Sequence, residues 1–355
     1  MEGLVYRFPT NVSMDETTQQ YVVQRERMLG MQELMPLTEL KTQRVRWDEL
    51  DNDFGMTAPH KMGTDPRVDD RPGSKTREYT PIPFKETDVI REDELLEARA
   101  YGTLGGVIDI HDIIGRTMKS RMDKTFVRVE WCIWQAAQGE LEINENGVYV
   151  HETFPIQVYD SLVDWDDRPN ATPMRDDNAV REMFDGTGAS AEGAVAYLNQ
   201  KTLNWKMENA NANDLKGLVN NLRSVNFSLT DLNKLQVDRG LPTYKVYNEV
   251  YIGRDKLPHK YIPDGVVIVK GKRQEGQIPG NFGMTPTFHR LKNGMPAPGF
   301  FNFLEVNGQS NRGMTEVSLA DLGAGKNPRV ENTGGVYGGP YWKYPRSIIK
   351  MRVKH

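Results

Sequence analysis

One cysteine and six histidines in 355 residues are few, and both shortages narrow what the chain can do. A single thiol forms no intrachain disulfide and cannot supply a thiolate-rich zinc site. Cys132 lies between Trp131 and Trp134 in an apolar stretch, where a buried, inert thiol is expected. The histidines, at positions 60, 111, 151, 259, 289 and 355, are scattered, and no two stand in the HExxH spacing of a zinc peptidase. No apolar run approaches the roughly eighteen residues of a membrane helix. The opening MEGLVYRFPT lacks a signal-peptide pattern, so synthesis in the cytoplasm is expected. Basic residues are not in excess either: 45 against 49 acidic ones leave a formal charge of −4, which argues against a chain that grips nucleic acid through its overall charge.

Catalytic signatures are equally scarce. Gly325-Lys326 imitates a phosphate loop, but Ala320 stands at the first glycine position and Asn327 at the Ser/Thr position. Gly186, Gly188 and Ala191 imitate a dinucleotide fingerprint, yet they follow a helical pattern instead of a strand. There is no GxSxG elbow. Acidic clusters at Asp48, Glu49, Asp51 and Asp53, and at Asp164, Asp166 and Asp167, offer carboxylate pairs for acid–base or metal chemistry. Neither has the EF-hand spacing, and a solvated loop or an ion pair between subunits is the simpler account. No catalytic, cofactor-binding or metal-binding residue is assigned.

What the sequence does hold is one long apolar stripe. From Val107 to Gln138 there is no proline, and Ile110, Ile114, Met118, Met122, Phe126, Val129, Ile133 and Ala137 recur at steps of three and four. Asp109 suits the start and Gly139 the left-handed residue past the end. Asp112 with Arg116 and Lys119 with Asp123 stand four apart on the polar side. Such a helix would be about 45 Å long, a strut between distant parts of the molecule; the plainer reading is a long core helix.

Taken in order, the chain opens with a loose segment and a helical pattern from Glu16 to Met35, which Pro36 ends. Residues 40–50 read as a strand. EDELLEARAY, residues 92–101, reads as a short helix, and GTLGG breaks the chain ahead of the long helix. After the long helix, Leu141, Ile143, Val148 and Val150 flank Asn146-Gly147, a hairpin signal. A helix is expected from Thr172-Pro173, a strand in GAVAYLNQ, two helical pieces over 201–222, and a helix capped by Ser228 or Thr230 and stopped by Gly240. A strand over 241–252, a turn, and the buried strand VVIVKG follow. Residues 271–340, rich in glycine, proline and asparagine, read as short strands or irregular segments. The chain closes on a basic edge strand with Arg346, Lys350, Arg352 and Lys354, which nucleic acid or solvent could meet.

Residues 51–88 are unusual. Prolines at 59, 66, 72, 81 and 83 interrupt a polar stretch with too little apolar surface to bury itself. Both flanks suit strands, with VDDRPGSKTREY as a charged tip: a projecting two-stranded arm that needs a neighbouring surface. Arg67, Arg71, Lys75 and Arg77 alternate with Asp69, Asp70 and Glu78, and Tyr79 follows. Mixed charge of this kind suits contacts between subunits that set partner and register. On this reading the first ninety residues find nothing to bury themselves against in their own molecule, and deleting 60–82 leaves a folded subunit that cannot assemble.

The order of arm, charged hairpin, long helix, Asn-Gly hairpin and α/β region resembles the major capsid proteins of tailed bacteriophages, in particular the lambda-like head protein E family. RVRWDELDNDFG with REYTPIPFKETDVI resembles that family's strand and extended loop. MDKTFVRVEWCIWQAAQGELEI with NENGVYV resembles its spine helix and first hairpin, and KVYNEVYIGRDKLPHKYIPDGVVIVKG its axial strand, turn and strand. Trp165 followed by ATPMRDDNAV matches its Asp-rich helix start.

The resemblance implies an α+β capsid fold: an N-terminal arm over 1–50, an extended loop over 51–90, spine helix and peripheral domain over 91–192, an axial domain over 193–330, and a strand over 331–355 returning to the peripheral domain. It implies a head protein that forms hexamers and pentamers around double-stranded DNA, without enzymatic activity or cofactor. Scaffolding, portal and decoration proteins are the implied partners, with weak contacts to DNA and none to membrane. The implied location is the virion, assembled in the host cytoplasm. Some relatives join a lysine to an asparagine; Lys75 and Lys85 are candidates, but nothing singles out either, and no covalent bond is expected. The alternatives are an encapsulin-like nanocompartment shell, and last a soluble α/β enzyme using a carboxylate pair.

Overall fold

The apolar stripe winds as a single 28-residue helix, α1 (Ile110–Ala137). In this computed structural model, which describes residues 5–7, 14, 17–18, 28–50, 62, 74–91, 110–209, 228–273, 277–290, 296–306, 309–310, 316–318 and 329–355, Ile114, Met118, Met122, Phe126, Val129, Ile133 and Ala137 of the stripe are all buried. Gly139 follows the helix at φ +96°, a conformation that costs glycine least. Asp109 lies outside the described residues. α1 is more than a one-sided strut, because Arg121, Thr125, Glu130, Cys132, Trp134 and Ala136, off the stripe, are buried as well. Its second half is a core element enclosed from several sides.

Ahead of α1 the expected strand over 40–50 is shorter, β2 (Val45–Leu50), and a separate strand the sequence did not suggest, β1 (Leu37–Glu39), precedes it. The last part of the expected charged tip is itself a strand, β3 (Ser74–Tyr79), antiparallel to β2 from Val45 opposite Tyr79 to Leu50 opposite Ser74. β4 (Pro83–Arg91) comes next. Residues 16 and 19–27 of the expected helix from Glu16 lie outside the described residues; its end is one π-helical turn, Gly30–Leu34, stopped by Pro36.

The expectation that the first ninety residues stay unburied is corrected for those described. Met31, Leu34 and Met35 pack into the α1 core. Val45, Trp47 and Tyr79 close around Tyr341, and Ile90 meets Ile114 and Leu304. Much of this cover comes from more than two hundred residues further along the chain, which no local pattern reveals.

Beyond α1, β5 (Glu140–Glu145) and β6 (Val148–Thr153) form the expected hairpin, with Asn146 and Gly147 at φ 51° and 77° as a tight two-residue turn requires. β7 (Gln157–Asp160), α2 (Pro173–Met183, proline in its first turn), β8 (Ser190–Leu198) and α3 (Gln200–Asn209) follow. The second expected piece after α3 lies outside the described residues. α4 (Leu229–Asp238) opens on a capping box between Ser228 and Asp231. The expected strand over 241–252 splits into β9 (Thr243–Val246) and a small hairpin, Val250–Ile252 with Pro258–Lys260.

β10 (Val266–Lys272) and β14 (Ile348–Arg352) complete a five-stranded mixed sheet in the order β9-β8-β10-β14-β7. Along β10, Val267 and Val269 join the core with Trp165, Leu203 and Leu232, whereas Ile268 joins the core of α1. β14 alternates likewise between Ile349 and Ile348. A sheet covered on both faces demands such a continuous apolar run, which is why VVIV carries no polar face. β8 spans the expected boundary at 192, and β14 sits between β10 and β7. The C-terminal strand is thus an inner strand, which corrects the expected edge strand.

Residues 271–340 supply much of a second sheet. β11 (Gly280–Met284), β12 (Phe300–Val306) and β13 (Arg329–Trp342) run in the order β12-β13-β11-β1, with β4 also paired to β13 from Arg91 opposite Arg329 to Pro83 opposite Tyr337. β13 lies along α1: Trp342 Nε1 donates to the carbonyl of Ala136 at 3.0 Å. Its glycines are there for contact, not for turning. A Cβ on Gly335 would stand 2.0 Å from the carbonyl oxygen of Phe84.

Candidate functional site

The arm is fastened at its base. Tyr79 is buried, its hydroxyl donates to the carbonyl of Pro340 at 2.8 Å, and its ring meets Trp47 edge-on with centroids 5.9 Å apart. Burial pushes its phenol well above the usual range. Arg77 stands 2.6 Å from Glu49, and Glu78 stands 3.0 Å from Arg44. Asp48 accepts from Thr76 at 2.6 Å. Lys75 is exposed and opposite Glu49 in the strand register. Four of the eight expected contact residues, Arg67, Asp69, Asp70 and Arg71, lie outside the described residues. The other four are brought together on β3, and three of them have partners inside the subunit. Next along the chain, Asp88 on β4 pairs with the buried Arg121 of α1.

Glu130 ties the N-terminal segment to the body. Its carboxylate accepts from the amides of Gly30 at 2.8 Å and Met31 at 3.1 Å, from Trp134 Nε1 at 2.7 Å and from the Tyr247 hydroxyl at 2.8 Å. Burial pushes its carboxyl up, against the downward pull of these four donors. The same helix buries Cys132, whose thiol burial pushes up to about 12.

The acidic cluster near 164 receives the C-terminus. Lys354 pairs with Asp166, the amide of His355 donates to Asp164 at 3.2 Å, and Asp167 accepts from Asn170 at 2.9 Å. Arg352 forks onto Asp160 at 2.5 and 2.8 Å, and Lys350 Nζ donates to the carbonyl of Gln138 at 3.2 Å. Lys350, Arg352 and Lys354 of the tail are thus engaged within the subunit. Among the described residues no group of three or more His, Cys, Asp or Glu side chains is arranged to hold a metal ion.

Residues 11–204, more than half of the chain, match the family described as Phage major capsid protein E. The chain belongs to that family. The fold is similar to that of a protein assigned as the capsid protein of a prophage of Escherichia coli CFT073, with a TM-score of 0.60 at 10% identity over 98% of this chain and 100% of that one. It is also similar to a phage-related protein from Bordetella bronchiseptica RB50, with a TM-score of 0.51 at 12% identity over 99% and 98%. At such identities the likeness is one of fold. No curated protein matches the sequence.

In this capsid protein the Asp-rich helix start that followed Trp165 is a buried polar knot. Asp176 accepts from Trp165 Nε1 at 2.7 Å and from the Tyr159 hydroxyl at 2.8 Å. Asp177 accepts from Lys206 Nζ at 2.5 Å and from Gln236 at 2.6 Å, and the hydroxyl of Tyr244 also donates to it. Lys206 is fully buried, with Nζ 4.8 Å from the ring of Trp165. Sequence reasoning picked out the neighbouring Asp164 cluster and missed both this knot and Glu130. The available signal was polar residues at helix positions facing an apolar strand, Lys206 among Trp205 and Met207.

Proposed function

We propose that this capsid protein self-assembles into hexamers and pentamers that close an icosahedral head around double-stranded DNA. Its work is binding without turnover, with stability drawn from many interfaces repeated by symmetry. The observation that carries the reading is the arm. β2 and β3 stay paired out to Leu50 opposite Ser74, and the polar, proline-bearing segment 51–73 between them has too little apolar surface to bury itself. That segment lies across the adjacent subunit, where Arg67, Asp69, Asp70 and Arg71 set register through mixed charge. Apolar side chains left exposed in the subunit, such as Leu162 (76%), Ile252 (65%) and Tyr149 (62%), are surface for neighbouring copies to cover.

In this arrangement residues 193–330 face their copies around the hexamer and pentamer axes. α1, residues 139–190 and the C-terminal strand meet neighbours at local threefold axes. Scaffolding and portal proteins, and a decoration protein, act on the shell from outside the chain. Assembly takes place in the host cytoplasm, and contacts to DNA stay weak, in keeping with a net charge of −4. The test is the content of purified, nuclease-treated particles. Retained double-stranded DNA supports a head; particles that enclose protein and no DNA support a nanocompartment instead.

A further inference from the structure

Between the arm base and the body lies a cavity of about 230 Å³ with a cationic wall. Lys75 and Arg77 reach it from β3, Arg273 from the end of β10, and Arg346 from the turn before β14. Among the described lining residues the one carboxylate is Glu49, already 2.6 Å from Arg77. Arg273 is only 8% exposed. Its Nε donates to Gln277 at 3.1 Å, and its Nη1 donates to the hydroxyl of Ser347 at 2.8 Å and the carbonyl of Thr187 at 3.2 Å. Its guanidinium lies 3.7 Å from the ring centroid of Tyr344. Among the described residues Nη2 has no partner.

A guanidinium braced in this way, with both N–H groups of Nη2 left over, is set for an oxyanion before one arrives. A buried cation whose hydrogen bonds all go to neutral groups is costly until a counter-charge reaches it. Burial accordingly pulls the Arg273 guanidinium below its ordinary value.

We propose that this cavity is an oxyanion site, filled in the assembled shell by a carboxylate side chain of a neighbouring copy of the chain. Three features favour that occupant. The cavity has room for a side chain and not for a nucleic-acid strand. It opens beside the arm, where a neighbour is expected. The chain carries 49 carboxylates against 45 lysines and arginines, so its copies supply the complementary charge. The occupant rests on the shell reading above; the affinity for an oxyanion does not.

Two measurements separate these parts. In the first, dissociated subunits are melted in sulfate and in chloride at matched ionic strength. Sulfate raises the melting temperature beyond chloride, and Lys75→Met and Arg273→Lys each weaken the apparent sulfate affinity about tenfold, the loss of one charge-assisted hydrogen bond. Lys75 is exposed, so its variant folds even where the Arg273 variant does not. Sulfate also stabilises folded proteins without a site, so it is the variants that decide: a sulfate-dependent rise in melting temperature that Lys75→Met and Arg273→Lys both retain in full overturns the oxyanion site.

In the second, particles built from mixed isotope-labelled and unlabelled subunits are treated with a carbodiimide, which joins an amine to a touching carboxylate. Lys75 is then found joined to an Asp or Glu peptide of the other isotope. Particles in which Lys75 couples only within its own chain overturn the occupant alone. Sulfate binding without any particle overturns the shell reading, and the occupant with it, and leaves the oxyanion site standing.

Discussion

The hydroxyl of Tyr79 donates to the carbonyl of Pro340 across 261 residues of chain, at 2.8 Å. The space it occupies exists because the preceding residue is Gly339: a Cβ there would stand 1.9 Å from the Tyr79 oxygen. Gly339→Ala therefore expels the phenol and breaks the cluster with Trp47 and Tyr341. Its cost is about 2 kcal/mol, between the strain of overpacking and the loss of a buried contact. Tyr79→Phe removes the hydrogen bond alone and costs about 1 kcal/mol. Urea unfolding of the two variants checks the order; a Tyr79→Phe loss as large as that of Gly339→Ala would contradict it.

Glu130→Ala leaves two backbone amides, an indole and a phenol without their acceptor. The expected loss is about 3 kcal/mol or more, because each buried donor left unpaired carries its own desolvation cost. Hydrogen exchange offers a local readout. The amides of Gly30 and Met31 exchange faster in the variant, while those in the middle of β10 change only by the global loss of stability.

Lys206 and Asp177 form a buried ion pair at 2.5 Å. Lys206→Met strands Asp177 in the core and costs roughly 3–5 kcal/mol. The double variant Lys206→Met with Asp177→Leu recovers part of that loss, since no unpaired charge remains. Denaturant midpoints for the two singles and the double form the cycle, and additive losses would rule out the pairing as the source.

These relationships also mark where the sequence was legible. The stripe of α1, the Asn146-Gly147 turn, the capping box at Ser228 and the apolar run of β10 are local patterns whose chemistry forces one structure. The burial of Trp47 and Tyr79 was not, because their partner Tyr341 comes from the far end of the chain. The glycines of β13 looked like loop residues since glycine marks both turns and close approaches, and only the positions of Phe84 and Tyr79 tell the two apart. Arg77, Glu78 and Tyr79 were read as contacts between subunits from their alternating charge. Glu49 and Arg44 come from the partner strand β2 and the residue before it, and Pro340 from β13, 261 residues on, so no single segment encodes these pairings.

The Arg352 fork holds the Asp160 carboxyl below the usual carboxylate range. A carboxyl whose folded value is depressed stabilises above its unfolded value, about 3.9, and that contribution is lost as the pH falls through the folded value. Both side chains are exposed, so solvent screens the pair and its contribution at neutral pH is small. Melting curves of wild type and Asp160→Asn, compared from neutral pH down to acid, should converge; a gap that widens on acidification would contradict the sign.

The part of the arm free to serve a neighbour is narrower than the sequence implied. Removing residues 60–82 takes away β3 and Tyr79, and with them the cluster at the arm base. Removing 52–72 spares β2 and β3. The shorter deletion should melt within a few degrees of wild type and sediment only as unassembled subunits, whereas the longer one should melt well below it.

The most direct test of the shell reading is electron cryomicroscopy of the chain expressed together with its scaffolding partner. Closed particles are predicted, with hexamers and pentamers of this one chain and residues 51–73 of each copy lying on the next. A uniform population of monomers, with those residues packed against their own subunit, would contradict it.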